Sequence, residues 1–186
     1  TIGIDTLLTK RQPHGEVIPT AIIDRIVALA DQVPDLKLII IDPVSRFRGG
    51  EENSNEDGTR FVEALELIAK RTGAAVLVAH HAGKASYGSA DVSQGASRGA
   101  SSLTDGLRWQ MNLSPPNEKQ VEAVGANKSE LKRYVMATVT KSNYSLIPPP
   151  TMLERDFGGY LTAVTANQAR KRVEMDAIAR VLHVIA

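Results

Sequence analysis

The sequence predicts an α/β fold: a central, mostly parallel sheet flanked by helices, followed by a C-terminal hairpin and helix. Three observations predict it. Leu38–Ile41 is an unbroken apolar run, and Ala75–Ala79 (AVLVA) repeats the pattern. Runs of this length read as strands covered on both faces, the interior type of a parallel sheet. A segment with helical spacing precedes each run after a short turn, which is the order of right-handed crossover units. The two strands are therefore expected as parallel neighbours inside the sheet. Composition agrees: 42% of residues are hydrophobic but only 4% aromatic, which suits an Ile/Val/Leu/Ala core.

Taken in order, Ile4–Leu8 reads as a short strand and the polar Lys10–Glu16, with Pro13 and Gly15, as a loop. Ile18, Ile22, Ile26 and Leu29 recur on one helical face, with Pro19 in the first turn, where its missing N–H costs nothing. Val33-Pro34-Asp35 stops this helix ahead of the Lys37–Asp42 strand. A second helix is expected over Asp57–Thr72. Its apolar face is Phe61, Leu65 and Ile68, Glu66 and Lys70 are spaced for an i,i+4 pair, and Gly73 is the stop. The AVLVA strand then ends at His80-His81.

Ala82–Gly106 is rich in Gly, Ser and Ala and has no apolar periodicity before Ser101–Leu103, the profile of a functional loop. Leu107–Leu113 and Arg133–Thr140 alternate as half-exposed strands do, with Trp109 expected in the core. Between them Ser114–Lys132 is broken by Pro115-Pro116 and helical in part. Phe157-Gly158-Gly159-Tyr160 reads as a hairpin turn, and Thr165–Gln168 as a capping box opening a last helix with Val173, Ala177, Val181 and Val184 in register.

Composition also narrows the function. The net charge is +1, so any nucleic-acid surface must be local. There is no cysteine, which excludes disulfides and thiolate metal sites and fits a reducing compartment. No apolar run reaches membrane length and no signal-peptide pattern is present, so a soluble, cytoplasmic protein without a membrane partner is expected.

The chemistry concentrates at Asp42. Ligand sites of parallel sheets lie beyond the carboxyl ends of the strands, where a carboxylate can hold the Mg²⁺ of a nucleoside triphosphate. An Asp that merely caps the following turn fits the short motif equally well. No phosphate-cradling loop accompanies it. Gly83-Lys84 is followed by Ala85, and Val78 stands where such a loop has its first glycine. A chain opening on TIGIDTLL and closing at Ala186 without a capping residue is expected to be a piece that starts after such a loop and binds ATP weakly by itself. Its last apolar residues suggest the start of a further module.

In succession, KLIIIDPVSRF, AVLVAHHAGK, QGASRGASSLTDGLRWQ and VTKSNYS resemble the RecA-like core of RepA-type hexameric helicases, ATP-driven DNA motors of plasmid and phage replication. The resemblance runs from Thr1 to Gly159 and lacks the family's P-loop and the strand bearing its catalytic glutamate. It implies a partial RecA-like P-loop NTPase fold, residues 1–165 being the later part of an ATPase core and 166–186 a helix that begins a C-terminal module. It further implies ATP and Mg²⁺ as cofactors, a homo-hexamer in the complete protein, single-stranded DNA as partner, and a replication initiator or loader beside it. Asp42 becomes the metal carboxylate. His80, or its neighbour His81 on the opposite face, becomes a γ-phosphate sensor; a pair of loop histidines bonded to backbone is the plainer reading. Lys84, Arg98 and Arg108, in and beside the Gly/Ser-rich segment, become DNA-backbone contacts, against ordinary loop charges. Lys141, at the exit of its strand, becomes a catalytic cation reaching the nucleotide of the adjacent subunit, against an ordinary strand-end lysine. Two other functions fit the same residues: a RecA-like ATPase of the recombinase or regulator kind, and a non-catalytic RecA-like scaffold.

Overall fold

The computed structural model describes residues 5–81 and 101–165, with 168, 169, 171 and 173–175. The chain divides into two compact units, one holding the described residues 5–81 and 101–108, the other those from 109 onward.

The first unit opens with a hairpin. Strand β1 (Thr9–Arg11) runs antiparallel to β2 (Val17–Pro19), with Thr9 opposite Pro19 and Arg11 opposite Val17. The strand expected at Ile4–Leu8 therefore lies further along, in part of the stretch read as a loop. Ile4 is outside the described residues, and Leu8 is buried in the core without strand pairing. Pro19 ends β2 instead of opening a helix. The Thr20 hydroxyl accepts the Ile22 N–H at 3.3 Å, and helix α1 runs over Ile22–Ala30. Its buried face is Ile23 and Val27, flanked by Ile22 and Ile26.

Strands β3 (Leu38–Ile41) and β4 (Ala75–Val78) lie side by side and parallel, Leu38 opposite Ala75 and Ile41 opposite Val78, as expected. Among the described residues they form a sheet of two strands, not the interior of a larger parallel one. Nor are both faces covered. Ile39, Ile41, Val76 and Val78 pack into the core, while Leu38, Ile40 and Leu77 are 46%, 62% and 41% exposed. An unbroken apolar run has no alternation to mark which face is covered, so the pattern alone overstated the burial.

Helix α2 (Asn55–Thr72) covers the buried face with Phe61, Val62, Leu65 and Ile68. It starts two residues before the expected Asp57 because Ser54 caps it, its hydroxyl accepting the Asp57 N–H at 3.2 Å. Gly73 ends it in the left-handed region at φ 69°, where a residue without Cβ is favoured. The short helix α3 (Ser101–Gly106) adds Leu103 to the same core.

The second unit is a four-stranded antiparallel sheet in sequential order, β5 (Trp109–Ser114), β6 (Tyr134–Ser142), β7 (Thr151–Arg155) and β8 (Leu161–Ala163). A mostly parallel sheet is therefore not what the described residues form. Helix α4 (Glu118–Glu122) is closed by the Asn117–Gln120 capping box, and its Val121 packs with Ala126, Tyr134 and Met152. The alternation expected in β5 is present, but it leaves Trp109 44% exposed, on the same side as Met111 and Leu113. The core placement of Trp109 is corrected accordingly. The hairpin turn at Phe157–Tyr160 is present, closed by the Asp156 N–H on the Tyr160 carbonyl at 3.0 Å. Thr165 and Gln168 form the expected reciprocal cap, at 2.9 and 3.3 Å. Residues 176–186, where that helix was expected to continue, lie outside the described residues. No helix among the described residues is long and apolar enough to cross a membrane.

The one-sided cover of β3 makes two adjacent isoleucines unequal. Ile41→Ala is expected to lower stability in urea unfolding by about 2–5 kcal/mol, as for buried truncations. Ile40→Ala should cost less than about 1 kcal/mol, as at open positions. Equal losses would show the open face to be covered.

Candidate functional site

The ladder of β3 and β4 continues beyond the strands themselves. The Ala79 N–H donates to the Ile41 carbonyl at 2.9 Å, and the Val44 N–H to the Ala79 carbonyl at 2.8 Å. Asp42 and His80 thereby stand at the same carboxyl end of one parallel pair, the usual position of a ligand site in such sheets. Alternation carried past the ladder puts Asp42 on the open side with Leu38 and Ile40, and His80 on the covered side with Val76 and Val78. Exposure agrees: Asp42 and His81 are exposed and His80 is half-buried with its Nδ1 shielded from solvent. The two histidines differ in accessibility, as adjacent residues on extended backbone do.

The loop from Pro43 to Ser54 is fastened along its length. It begins with a 3-10 turn over Val44–Arg46. The Leu8 N–H donates to the Phe47 carbonyl at 2.7 Å, and the Gly49 N–H to the buried Thr9 hydroxyl at 3.1 Å. Arg48 Nη2 donates to the carbonyls of Glu51 and Ser54 at 3.1 and 3.2 Å. Asp57, in the first turn of α2, anchors the far end: its Oδ2 accepts from the Glu51 N–H at 2.6 Å and from Arg11 Nη2 at 2.5 Å. Gly50, at φ 88°, passes so close that a Cβ there would run into the Asp57 carboxylate. Sequence reading took Asp57 only as the start of a helix. The one hint was the Gly49-Gly50 pair, the residue type that lets backbone approach a side chain closely.

These contacts set the ionisation of the cluster. Burial pushes the Asp57 carboxyl up, but the Glu51 amide, Arg11 and Ser54 together outweigh it and hold it below the usual carboxylate range. The hydrogen bond to Asp57 raises Arg11 in turn. Burial lowers Arg48, against the pull of Asp57 and Glu52.

Of the other residues singled out by sequence, Arg108 lies 3.6 Å from Glu66, both well exposed, a pair of the weak surface kind. Lys141 is the penultimate residue of β6, opposite Gln110 and beside the register shift between Gln110 and Met111. A bulge of this kind re-aims the side chains around it. Asp42, His80 and Arg108 fall in the first unit and Lys141 in the second. Lys84 and Arg98 lie outside the described residues. A cavity of about 490 Å³ opens between α2 and α3, lined by Asn55, Thr59, Val62, Ser101, Ser102 and Asp105, none of them singled out. Its own carboxylate and the acidic first turn of α2 make it a poor place for an anion.

Residues 4–87 match the AAA domain family, a span that includes Asp42, His80 and the whole fastened loop. The chain also resembles the solved structure of a DnaB-like replicative helicase, described together with its interactions with primase. The TM-score is 0.57 at 13% identity, over 75% of this chain and 34% of that one. The fold is similar to part of that replicative helicase. The chain spans about a third of the helicase chain it matches.

A single carboxylate suits Mg²⁺, which keeps most of its waters and binds through one or two carboxylates plus substrate phosphates. Asp42 is exposed, and the described residues hold no group of three or more His, Asp or Glu that would make an all-protein cage. The residues present fit a metal carried in with a nucleotide.

Asp57 yields a test in acid. Its folded pKa lies below the ordinary 3.8, so its contribution to stability is complete above that value and is lost as pH falls through the folded one. Asp57→Asn is expected to be less stable than wild type at pH 7 by about 1–3 kcal/mol. In urea titrations at pH 7, 4 and 3 the gap should narrow at the lowest pH. A gap independent of pH would mean that the carboxylate is not ionised against Arg11.

Proposed function

We propose that this sequence belongs to an ATP-driven DNA motor, with the site at the carboxyl ends of β3 and β4 taking the Mg²⁺–nucleotide complex. What carries the reading is the placement of Asp42 and His80 at one end of a parallel pair, inside the segment that matches the AAA domain family. The likeness in fold to a replicative helicase supports the motor class.

In this reading the Asp42 carboxylate holds Mg²⁺, whose chemistry when bound is to draw charge from the phosphate oxygens. His80 donates an imidazole N–H to the terminal phosphate and loses that bond when the phosphate departs, so the loop latched at Ala79 registers hydrolysis. By the strand alternation His81, exposed on the same side as Asp42, is the other candidate for this role. Lys141 lends its charge to the nucleotide of a neighbouring copy, which makes assembly a condition of full activity. The finer assignment is a RepA-type helicase of plasmid or phage replication, hexameric, moving on single-stranded DNA with Lys84, Arg98 and Arg108 along the strand. It rests on the succession of four motifs, and an initiator, loader or primase is the expected class of protein partner.

In the full-length protein, Asp42→Asn should cut ATP turnover at least about a hundredfold, the scale of losing a key electrostatic contact. Lys141→Ala should lower turnover on the order of 10²-fold, less than an arginine finger supplies, because lysine is a point charge. Partial recovery on mixing Lys141→Ala with an Asp42→Asn subunit would place Lys141 at a shared interface. Wild-type turnover by Asp42→Asn would remove the basis of the reading.

A further inference from the structure

Arg46 stands four residues after Asp42, at the end of the Val44–Arg46 turn, and the structure holds its backbone at several points. Its N–H donates to the Pro43 carbonyl at 3.0 Å, and its carbonyl accepts from Thr6 Oγ1 at 2.7 Å. The turn begins with the bond from Val44 to Ala79, so it is latched to the end of β4 immediately before His80. Phe47, next in sequence, is held by Leu8 on one side and by Val44, at 2.9 Å, on the other.

The side chain is treated differently from that of its near neighbour. Arg48 is half-buried and engaged with two loop carbonyls. Arg46 is exposed, and no ion pair joins it to another described residue, although Glu51, Glu52, Glu56 and Asp57 follow closely. Asp57 is taken by Arg11, and Glu51 also lies nearest Arg11, at 3.7 Å. The backbone that carries this guanidinium is held in place, and its fork of donors matches phosphate geometry. It shares the strand end with a carboxylate suited to a metal ion and an imidazole N–H.

We propose that Arg46 is a phosphate-binding residue of this site, contacting the phosphate chain of the nucleotide that Asp42 and His80 serve. This rests on the reading of the site as a nucleotide site and adds a residue to it.

The test uses the full-length protein, with Mg²⁺–ATP and an oligo(dT) single strand as separate probes in calorimetry. Arg46→Ala is expected to weaken ATP binding by about 10- to 100-fold, the range for a charge-assisted hydrogen bond. Arg46→Lys should recover only a small part of that loss, because the bidentate fork is gone. Oligo(dT) affinity should stay within twofold of wild type and the thermal midpoint within about 2 °C, since the side chain is exposed. Unchanged ATP affinity in Arg46→Ala would overturn the proposal and leave the site reading standing. Loss of oligo(dT) affinity with ATP binding intact would also overturn it, assigning Arg46 to the nucleic-acid backbone. A wild-type protein that binds no ATP would overturn the site reading and this inference together.

Discussion

A buried carboxylate has to find partners, and the first unit is arranged around that requirement. Asp57 sits almost fully out of solvent at the start of α2. Ionised there without donors it would be strongly destabilising, so the chain must bring donors to it. Arg11 arrives from the β1–β2 hairpin and the Glu51 amide from the loop after β3. The hairpin, far earlier in sequence, and the loop just ahead of α2 thus meet at one oxygen, which accepts both bonds. The loop's path past Gly50, with no room for a side chain, follows from the same demand. That loop begins right after Asp42, so the candidate metal carboxylate and the Asp57 anchor mark its two ends.

The two sheets handle their apolar residues in contrasting ways. The β3–β4 pair is continuous in hydrophobicity and buries one side under α2, leaving Ile40 and its neighbours open. In the antiparallel sheet of the second unit β5 alternates, β6 is buried or half-buried along its length, and the buried Tyr134 and Met152 pack with Val121 of α4. Hydrophobic patterning is thus a clean guide to β5 and an ambiguous one to β3 and β4.

That difference explains what could be read from the sequence. The parallel neighbours, the α2 face of Phe61, Leu65 and Ile68, the Gly73 stop, the Phe157–Tyr160 turn and the Thr165 cap all rest on local chemistry that a short window contains. The β1–β2 hairpin escapes a sequence pattern because its strands are three residues each, β1 is polar, and Ile18 of β2 also fits the helical spacing that follows. Trp109 was misplaced because size alone suggested burial, whereas its alternation with Gln110 already put it with Met111 and Leu113. At the site, Asp42 and His80 were visible because each ends an apolar run. Asp57 was not, since a buried charge inside a helix looks like any acidic first-turn residue until its partners are known. Arg46 was passed over for a similar reason, as one of several charges in a polar loop.

The fastening of the Pro43–Ser54 loop has a consequence for how this region moves. Its Gly49 and Glu51 amides donate to acceptors on Thr9 and Asp57, two of the most buried polar residues described. To free either amide, the hairpin or the first turn of α2 must also come away. Solvent-proton exchange at these two positions should therefore follow the slow, cooperative opening of the helical core and not the rapid fluctuations of a surface loop. A ligand at the strand end would then meet a loop already at rest.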